Sequence, residues 1–121
     1  MQPNPGQVRI AAIFGALAVI LGAFGAHALA GLLAKNGTLE IWKTASQYHF
    51  LNVLAMLVLG ATGLRSRGTF CLLLAGTLVF SGSLYLLAVT NIKWLGAITP
   101  VGGVLMIAGW LVLAVKAGKQ A

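Results

Sequence analysis

Residues 68–92 read GTFCLLLAGTLVFSGSLYLLAVTNI and contain no charged side chain over 25 consecutive positions. About 20 mostly apolar residues are enough to cross the roughly 30 Å hydrocarbon core of a membrane as a helix. Three further stretches are also free of charge and are 25, 21 and 22 residues long: 10–34, 44–64 and 94–115. The four stretches therefore predict a membrane protein with four spanning helices.

The composition agrees with this interpretation. Of the 121 residues, 60% are hydrophobic and only 7% are charged, whereas about a quarter of the residues of a soluble domain are charged. The predicted helices cover about 8–33, 39–64, 68–91 and 94–116 and form a single integral membrane domain, 1–121. Because short connections make consecutive helices antiparallel neighbours, the predicted fold class is all-α, a transmembrane up-down-up-down four-helix bundle.

The positive charges of the chain lie in the connections between these stretches. The net charge is +7, from eight cations and one acid. Because the cations do not share one face, we interpret them as membrane-flanking anchors and exclude nucleic acid as a partner. One predicted side carries Arg9, Arg65, Arg67, Lys116 and Lys119, and the other carries Lys35, Lys43 and Lys93 with Glu40. Since cytoplasmic connections carry the excess of Lys and Arg, the expected topology is N-in, C-in.

Small residues and proline suggest how the helices pack. Ala18, Gly22, Ala26 and Ala30 form a stripe at a spacing of four in the first helix. Such stripes let membrane helices approach closely, which favours packing within the chain, with a dimer interface as the alternative. Pro100 lies inside the predicted fourth helix and is expected to kink it, with Gly102 and Gly103 easing the bend.

Polar side chains gather in one half of the predicted bundle. At a rise of 1.5 Å per residue, His27, His49, Tyr85 and Thr99 all lie roughly 9–12 Å below the extracytoplasmic boundary. Lipid cannot satisfy their hydrogen-bonding groups, so these side chains are expected to point inward and bond to each other. The predicted buried polar cluster consists of His27, Tyr48 or His49, Asn52, Ser81, Tyr85 and Thr99.

Two roles of this cluster remain open at this stage. The first is structural, with interhelical hydrogen bonds worth about 1 kcal/mol or less each. The second is contact with a ligand, because ionisable groups inside a membrane are candidates for function. A metal or haem site is disfavoured, because no Cys, Asp or Glu accompanies the two histidines. An enzyme is also disfavoured, because no acid supports a serine and histidine in a catalytic triad.

Four ordered motifs are similar to a known pattern. They are GAFGAHAL at 22–29, WKTA followed by YH at 42–49, FSGSLY at 80–85, and TPVGG with AGW at 99–110. Together they resemble the YgdD-type family of small four-helix membrane proteins, a domain of unknown function. The resemblance covers essentially all four helices. The family's signature residues correspond here to Gly22, Gly25, His27, Tyr48, Ser81, Gly82, Tyr85, Pro100 and Gly102.

The resemblance implies a multi-pass protein of the bacterial inner membrane, without an established activity or cofactor. Many relatives have a histidine where this chain has Asn52, which argues against a metal or haem site that would need that imidazole. The leading hypothesis is a non-enzymatic scaffold or accessory subunit that packs against itself or a larger membrane complex, surrounded by membrane lipids. The alternative is a small channel or a module that binds a lipid, quinone or haem through the polar cluster.

Overall fold

The structure is a computed structural model that describes residues 2–64 and 67–120. In this part of the chain every regular element is helical, which confirms the all-α class. The α-helices are α1 (Pro5–Ala26), α2 (Ala30–Asn36), α3 (Leu39–Thr62), α4 (Arg67–Thr90) and α5 (Thr99–Gln120), and a 3-10 helix covers Lys93–Ala97. Arg65, which belongs to the predicted connection between the second and third spans, lies outside the described residues.

Three helical segments are long and apolar enough to cross a membrane. They are Pro5–Gly25, Arg67–Thr90 and Lys93–Gly118, each with a mean hydropathy of 2.1. Helix α3 has the same length as α4, 24 residues, but it carries Gln47, His49 and Asn52. These side chains make α3 less apolar than its neighbours, so length and composition alone identify three of the four predicted spans.

The long helices pack side by side in the order in which they follow each other along the chain. The Asn4 backbone N–H, just before α1, donates to the carbonyl of Gly60, near the end of α3, at 2.8 Å. The Ser81 hydroxyl, in the second half of α4, donates to the carbonyl of Ala45, near the start of α3, at 2.8 Å. Helices α4 and α5 meet where Gly76 lies against Gly102. The start of α1 thus lies beside the end of α3, and the start of α3 lies beside the second half of α4.

The first predicted helix, 8–33, is wrong as a single element. Helix α1 begins earlier, at Pro5, and ends at Ala26, and the chain turns through 27–29 before α2 begins. The turn is closed by the Leu29 N–H, which donates to the carbonyl of Phe24 at 2.8 Å, five residues back. No proline or left-handed glycine marks this break, so the usual signals for a helix end were absent from the sequence.

The predicted kink at Pro100 is also wrong. The chain forms a 3-10 helix at Lys93–Ala97, and α5 begins afresh at Thr99. Pro100 thus lies in the first turn of α5, where its missing N–H removes no intrahelical hydrogen bond and its fixed φ suits the helix. The proline starts a helix here and does not bend one.

The turn after α2 ties two helix ends together. Gly37 has a φ of +67° and ends α2, the usual role of a left-handed glycine after a helix. The buried hydroxyl of the following Thr38 donates to the carbonyl of Ala88 at 2.7 Å. The Asn36 amide donates to the same carbonyl at 3.1 Å. Side chains of this turn therefore satisfy a carbonyl in the last turn of α4.

Close helix contacts occur at glycines, although not all of the predicted ones. A Cβ atom at Gly102 would lie 2.4 Å from the backbone nitrogen of Phe80, and one at Gly25 would overlap the Trp42 indole. At Gly22 a Cβ would meet nothing within 4 Å, so this glycine is not a packing contact within the chain. The small-residue stripe is therefore used only in part, because Ala18 is buried whereas Gly22 faces open space.

Candidate functional site

A hydrogen-bonded pair of side chains lies between α3 and α4. The Nδ1 atom of His49 is 3.0 Å from the hydroxyl oxygen of Tyr85. The Ser46 hydroxyl, one turn before His49, is 3.3 Å from the same oxygen. His49 is buried and its ring lies edge-on to Phe14 of α1, with 6.2 Å between ring centroids. Three helices thus enclose the His49–Tyr85 pair.

Trp42 supports the pair from the side. Its indole Nε1–H donates to the carbonyl of Leu21 in α1 at 3.0 Å. Its ring packs on Tyr85, with 4.6 Å between the centroids. Gly25 leaves the space for this indole, because any side chain at that position would overlap it. Tyr85 is therefore held by Trp42 on one side and by the His49 ring on the other.

The two side chains can use their hydrogen-bonding groups within the protein. Tyr85 can donate its proton to Nδ1 of His49 and accept one from Ser46, which uses both functions of the phenol. The neutral imidazole then carries its proton on Nε2, and the ring lies near the backbone of Phe14. This arrangement is typical of a structural contact between helices.

A small cavity lies next to the pair. Its volume is about 140 Å³, and its polar wall is formed by His49, Tyr85, Thr77 and Ser81. The hydroxyls of Thr77 and Ser81 donate to backbone carbonyls at 2.7 and 2.8 Å. The remaining wall is mostly apolar, including Phe14, Leu17, Leu21 and Leu78. The cavity therefore has few hydrogen-bonding groups left to hold a ligand.

Two residues of the predicted cluster lie outside it. His27 is exposed and stands at the end of α1, because the helix breaks there and the residue does not continue along the inner face. Tyr48 is 43% exposed, and its ring packs on Phe80, with 5.0 Å between the centroids. Of the two alternatives in the second span, His49 is therefore the buried one.

The other predicted residues are divided among separate contacts. The Asn52 amide lies 2.8 Å from the sulfur of Met106 in α5. Thr99 lies 2.6 Å from the hydroxyl of Ser83 and joins the start of α5 to α4. Only Ser81, which binds the backbone of α3, is next to the His49–Tyr85 pair. The residues of the predicted single cluster are thus divided among separate polar contacts between helices.

Sequence reasoning missed three contributors: Trp42, Ser46 and Ser83. Ser46 precedes His49 by three positions, so helical spacing places both on one face of α3. Ser83 contacts Thr99, which is a residue of the predicted polar cluster. Trp42 could have been found from Gly25, because a glycine inside a membrane helix often admits a neighbouring group.

The described residues contain no group of three or more His, Cys, Asp and Glu side chains that could hold a metal ion. Along the outer side of α1 and α3 runs an open groove with a volume of about 740 Å³. Its floor is formed by small residues of α1: Ala18, Gly22, Ala23 and Gly25. Leu39, Lys43, Gln47 and Phe50 of α3 form part of the opposite wall. We call this surface the α1–α3 groove.

The DUF423 family, described as a protein of unknown function, matches residues 21–103. The chain belongs to the DUF423 family. YwdK of Bacillus subtilis (strain 168), named a UPF0382 membrane protein, is 45% identical over 118 residues, which cover 93% of this chain and 95% of YwdK. The UPF0382 membrane protein SERP0230 of Staphylococcus epidermidis is 44% identical over 122 residues, covering 94% of this chain and 99% of that protein.

A third relative, the UPF0382 membrane protein SAB0533 of Staphylococcus aureus, is 41% identical over 118 residues, which cover 94% of this chain and 96% of SAB0533. No solved structure matches the chain. DUF423 membership confirms a small membrane protein family of unknown function, and the narrower YgdD-type name stays a prediction.

Proposed function

We propose that this DUF423 protein is a non-enzymatic scaffold or accessory subunit of the bacterial inner membrane, which packs through its α1–α3 groove against a helix of a larger membrane complex. In this proposal α1, α3, α4 and α5 cross the membrane as an up-down-up-down bundle with both termini in the cytoplasm.

The antiparallel contacts between consecutive long helices support the proposed bundle. Asn4, just before α1, lies beside Gly60 near the end of α3, and Ser81 in the second half of α4 lies beside Ala45 near the start of α3. These two contacts indicate that α3 runs opposite to α1 and to α4. Two of the polar residues of α3, His49 and Asn52, are buried between helices, as is typical of polar side chains in spanning helices. The excess of cations at the start of α1 and α4 and the end of α5 supports the proposed orientation.

The α1–α3 groove is the observation that carries the proposed role. Membrane helices associate through small residues that let their backbones approach, because lipid provides no hydrophobic driving force between them. In the groove, a Cβ atom at Gly22 would meet nothing within 4 Å, and Ala18 and Ala23 line the same surface. An open groove with small residues of α1 along one side suits a helix of another subunit.

The His49–Tyr85 pair supports a packing role over a ligand-binding one. Its hydrogen bonds join α3 to α4 and are satisfied by Ser46 and by each other. A bound quinone or lipid would need donors that are still available, and the pair uses its donors internally. The cluster therefore acts as a contact that sets the register of two helices.

Blue-native electrophoresis after extraction in a mild detergent tests the proposal. We expect the protein in a band larger than its 12.5 kDa monomer. The Gly22→Leu variant adds a side chain to the groove at a position where a Cβ atom meets nothing within 4 Å, and it should shift the protein to the monomer position. The control Ala114→Leu adds a similar volume at an exposed position of α5 and should leave the large band unchanged.

A strictly monomeric wild-type protein would contradict the accessory role. A large band that survives Gly22→Leu would retain an assembly but place its interface away from the α1–α3 groove. A band at twice the monomer mass that contains only this chain would replace the larger complex with a homo-oligomer.

A further inference from the structure

A second cavity lies at the opposite end of the molecule from the His49–Tyr85 pair. Its volume is about 330 Å³, and five of its seven lining residues have polar or charged side chains. It is lined by Gln2, Asn4, Gln7, Gly63, Leu64, Arg67 and Lys116. These residues come from the start of α1, the end of α3, the start of α4 and the end of α5. We call this cavity the basic pocket.

Two cations from different helices share this pocket. Arg67 is the first residue of α4, and Lys116 belongs to the last turns of α5. The Lys116 ammonium lies 3.8 Å from the point that a Cβ atom of Gly68 would occupy, so it stands beside the first turn of α4. That end of a helix already carries a partial positive charge from the aligned peptide dipoles. Positive charge is therefore concentrated at one place.

No carboxylate side chain of the chain can neutralise these cations. The sequence contains one acidic residue, Glu40, and it pairs with Lys43 at 3.6 Å. Glu40 stands in the first turn of α3, whereas Gly63 of the pocket follows the end of that helix. At 1.5 Å per residue the two positions are roughly 35 Å apart. The sequence therefore provides no acidic side chain beside Arg67 and Lys116 that could serve as their counter-ion.

The position of the pocket indicates which anion is available. Two candidate spans begin at Pro5 and Arg67, and the third ends at Gly118, so all three reach their ends around the pocket. The ends of apolar spans lie at the boundary between the hydrocarbon core and the polar headgroups. The anion that is present at this depth in every membrane is the phosphate of a phospholipid. The amide side chains of Gln2 and Gln7 offer further donors to its oxygens.

We propose that the basic pocket binds the phosphate group of a membrane phospholipid, held by Arg67 and Lys116. Arginine suits this role because its planar guanidinium can donate two parallel hydrogen bonds to a phosphate, while the lysine contributes a mobile point charge. The inference goes beyond the packing role and depends only on the assignment of the three candidate spans. It would survive even if the α1–α3 groove had no partner.

Native mass spectrometry of the purified full-length protein with added dioleoyl phosphatidylglycerol tests the proposal. The double variant Arg67→Gln with Lys116→Gln should retain the lipid at least tenfold more weakly than the wild type. The matched control Lys35→Gln with Lys93→Gln removes the same charge at the other end of the bundle and should bind like the wild type. The charge-conserving variant Arg67→Lys with Lys116→Arg should keep at least part of the binding, and far-UV circular dichroism checks that every variant is folded.

Two further probes identify the source of the phosphate. Dioleoylglycerol has the same acyl chains without the phosphate and should not depend on Arg67 and Lys116. Inorganic phosphate alone should not raise the melting temperature as the phospholipid does, because it lacks the chains that keep it at this depth. Equal binding of phosphatidylglycerol to the wild type and the Arg67/Lys116 double variant would overturn the proposal. Equal stabilisation by inorganic phosphate would replace the lipid with a soluble anion.

Discussion

The two ends of the α3–α4 pair are held together by different chemistry. Near the start of α3, the contacts are directional: His49 to Tyr85, Ser81 to a backbone carbonyl, and the Trp42 indole to α1. Near the end of α3, Met56 and Leu59 pack on Phe70 and Leu73 with Ala11 of α1. We call these regions the polar end and the apolar end.

The hydroxyl groups of Tyr85, Ser81 and Thr69 differ in whether they have a hydrogen-bond partner. At the polar end, the hydroxyls of Tyr85 and Ser81 have partners. At the apolar end, the buried Thr69 hydroxyl has no hydrogen-bond partner. An unsatisfied buried polar group is destabilising, whereas a satisfied one contributes a little. The difference between Tyr85 and Thr69 shows that the partner available to a hydroxyl, and not the hydroxyl itself, decides whether it stabilises this fold.

The largest expected effect is at Gly25, which admits Trp42 to the polar end. The variant Gly25→Ala places a Cβ atom against the indole, which is only 4% exposed and cannot move without losing its bond to Leu21. We expect a loss of about 2–3 kcal/mol in the free energy of unfolding, measured in mixed detergent micelles. Gly22→Ala, one turn earlier on α1, is the matched control and should change little. Equal effects of the two variants would show that Trp42 does not organise the polar end.

The second largest expected effect on the free energy of unfolding is at Tyr85. The variant Tyr85→Phe keeps the ring but removes the hydroxyl that joins His49 and Ser46. We expect a loss of about 1 kcal/mol in the free energy of unfolding, the usual size of a hydrogen bond between membrane helices. Tyr48→Phe removes the same atom from a side chain that is 43% exposed and should be close to neutral. A neutral Tyr85→Phe would remove the distinction between the two ends.

The smallest expected change in the free energy of unfolding is an increase, whereas the two variants above decrease it. The variant Thr69→Val replaces the unpaired hydroxyl with a methyl group of similar size at the apolar end. We expect a gain of about 0.5 kcal/mol in the free energy of unfolding, because a buried polar atom without a partner is removed. The free energy of unfolding is again measured in mixed detergent micelles. A loss as large as that of Tyr85→Phe would mean that Thr69 has a partner in the membrane.

The helical class and much of the helix pattern could be predicted from the sequence. The predicted helices at 39–64 and 68–91 differ by at most two residues from Leu39–Thr62 and Arg67–Thr90. Charge-free stretches and the Gly63 turn carry this information locally. The break at 27–29 could not be predicted in the same way, because no proline or left-handed glycine marks it and it is closed by a backbone bond between Leu29 and Phe24.

The candidate site was predicted less well than the helices. Depth arithmetic placed His49 and Tyr85 at similar heights, and the structure joins them, with Ser81 of the predicted cluster beside them. The same arithmetic placed His27 with them, because it assumed a continuous helix through this residue. Helix α1 ends at Ala26, so the assumption fails at His27. Which face each side chain occupies depends on the packing of several helices, as shown by Tyr48 outside and His49 inside. That information is not local to either residue.

A double-mutant cycle between His49 and Tyr85 tests most directly whether the buried polar pair is a structural contact between α3 and α4. The free energies of unfolding of His49→Leu, Tyr85→Phe and the double variant would be measured in mixed micelles. A coupling energy of about 1 kcal/mol is expected, because each single change leaves the other partner without its hydrogen bond. A coupling energy of zero would contradict the account, since the two side chains would then act independently of each other.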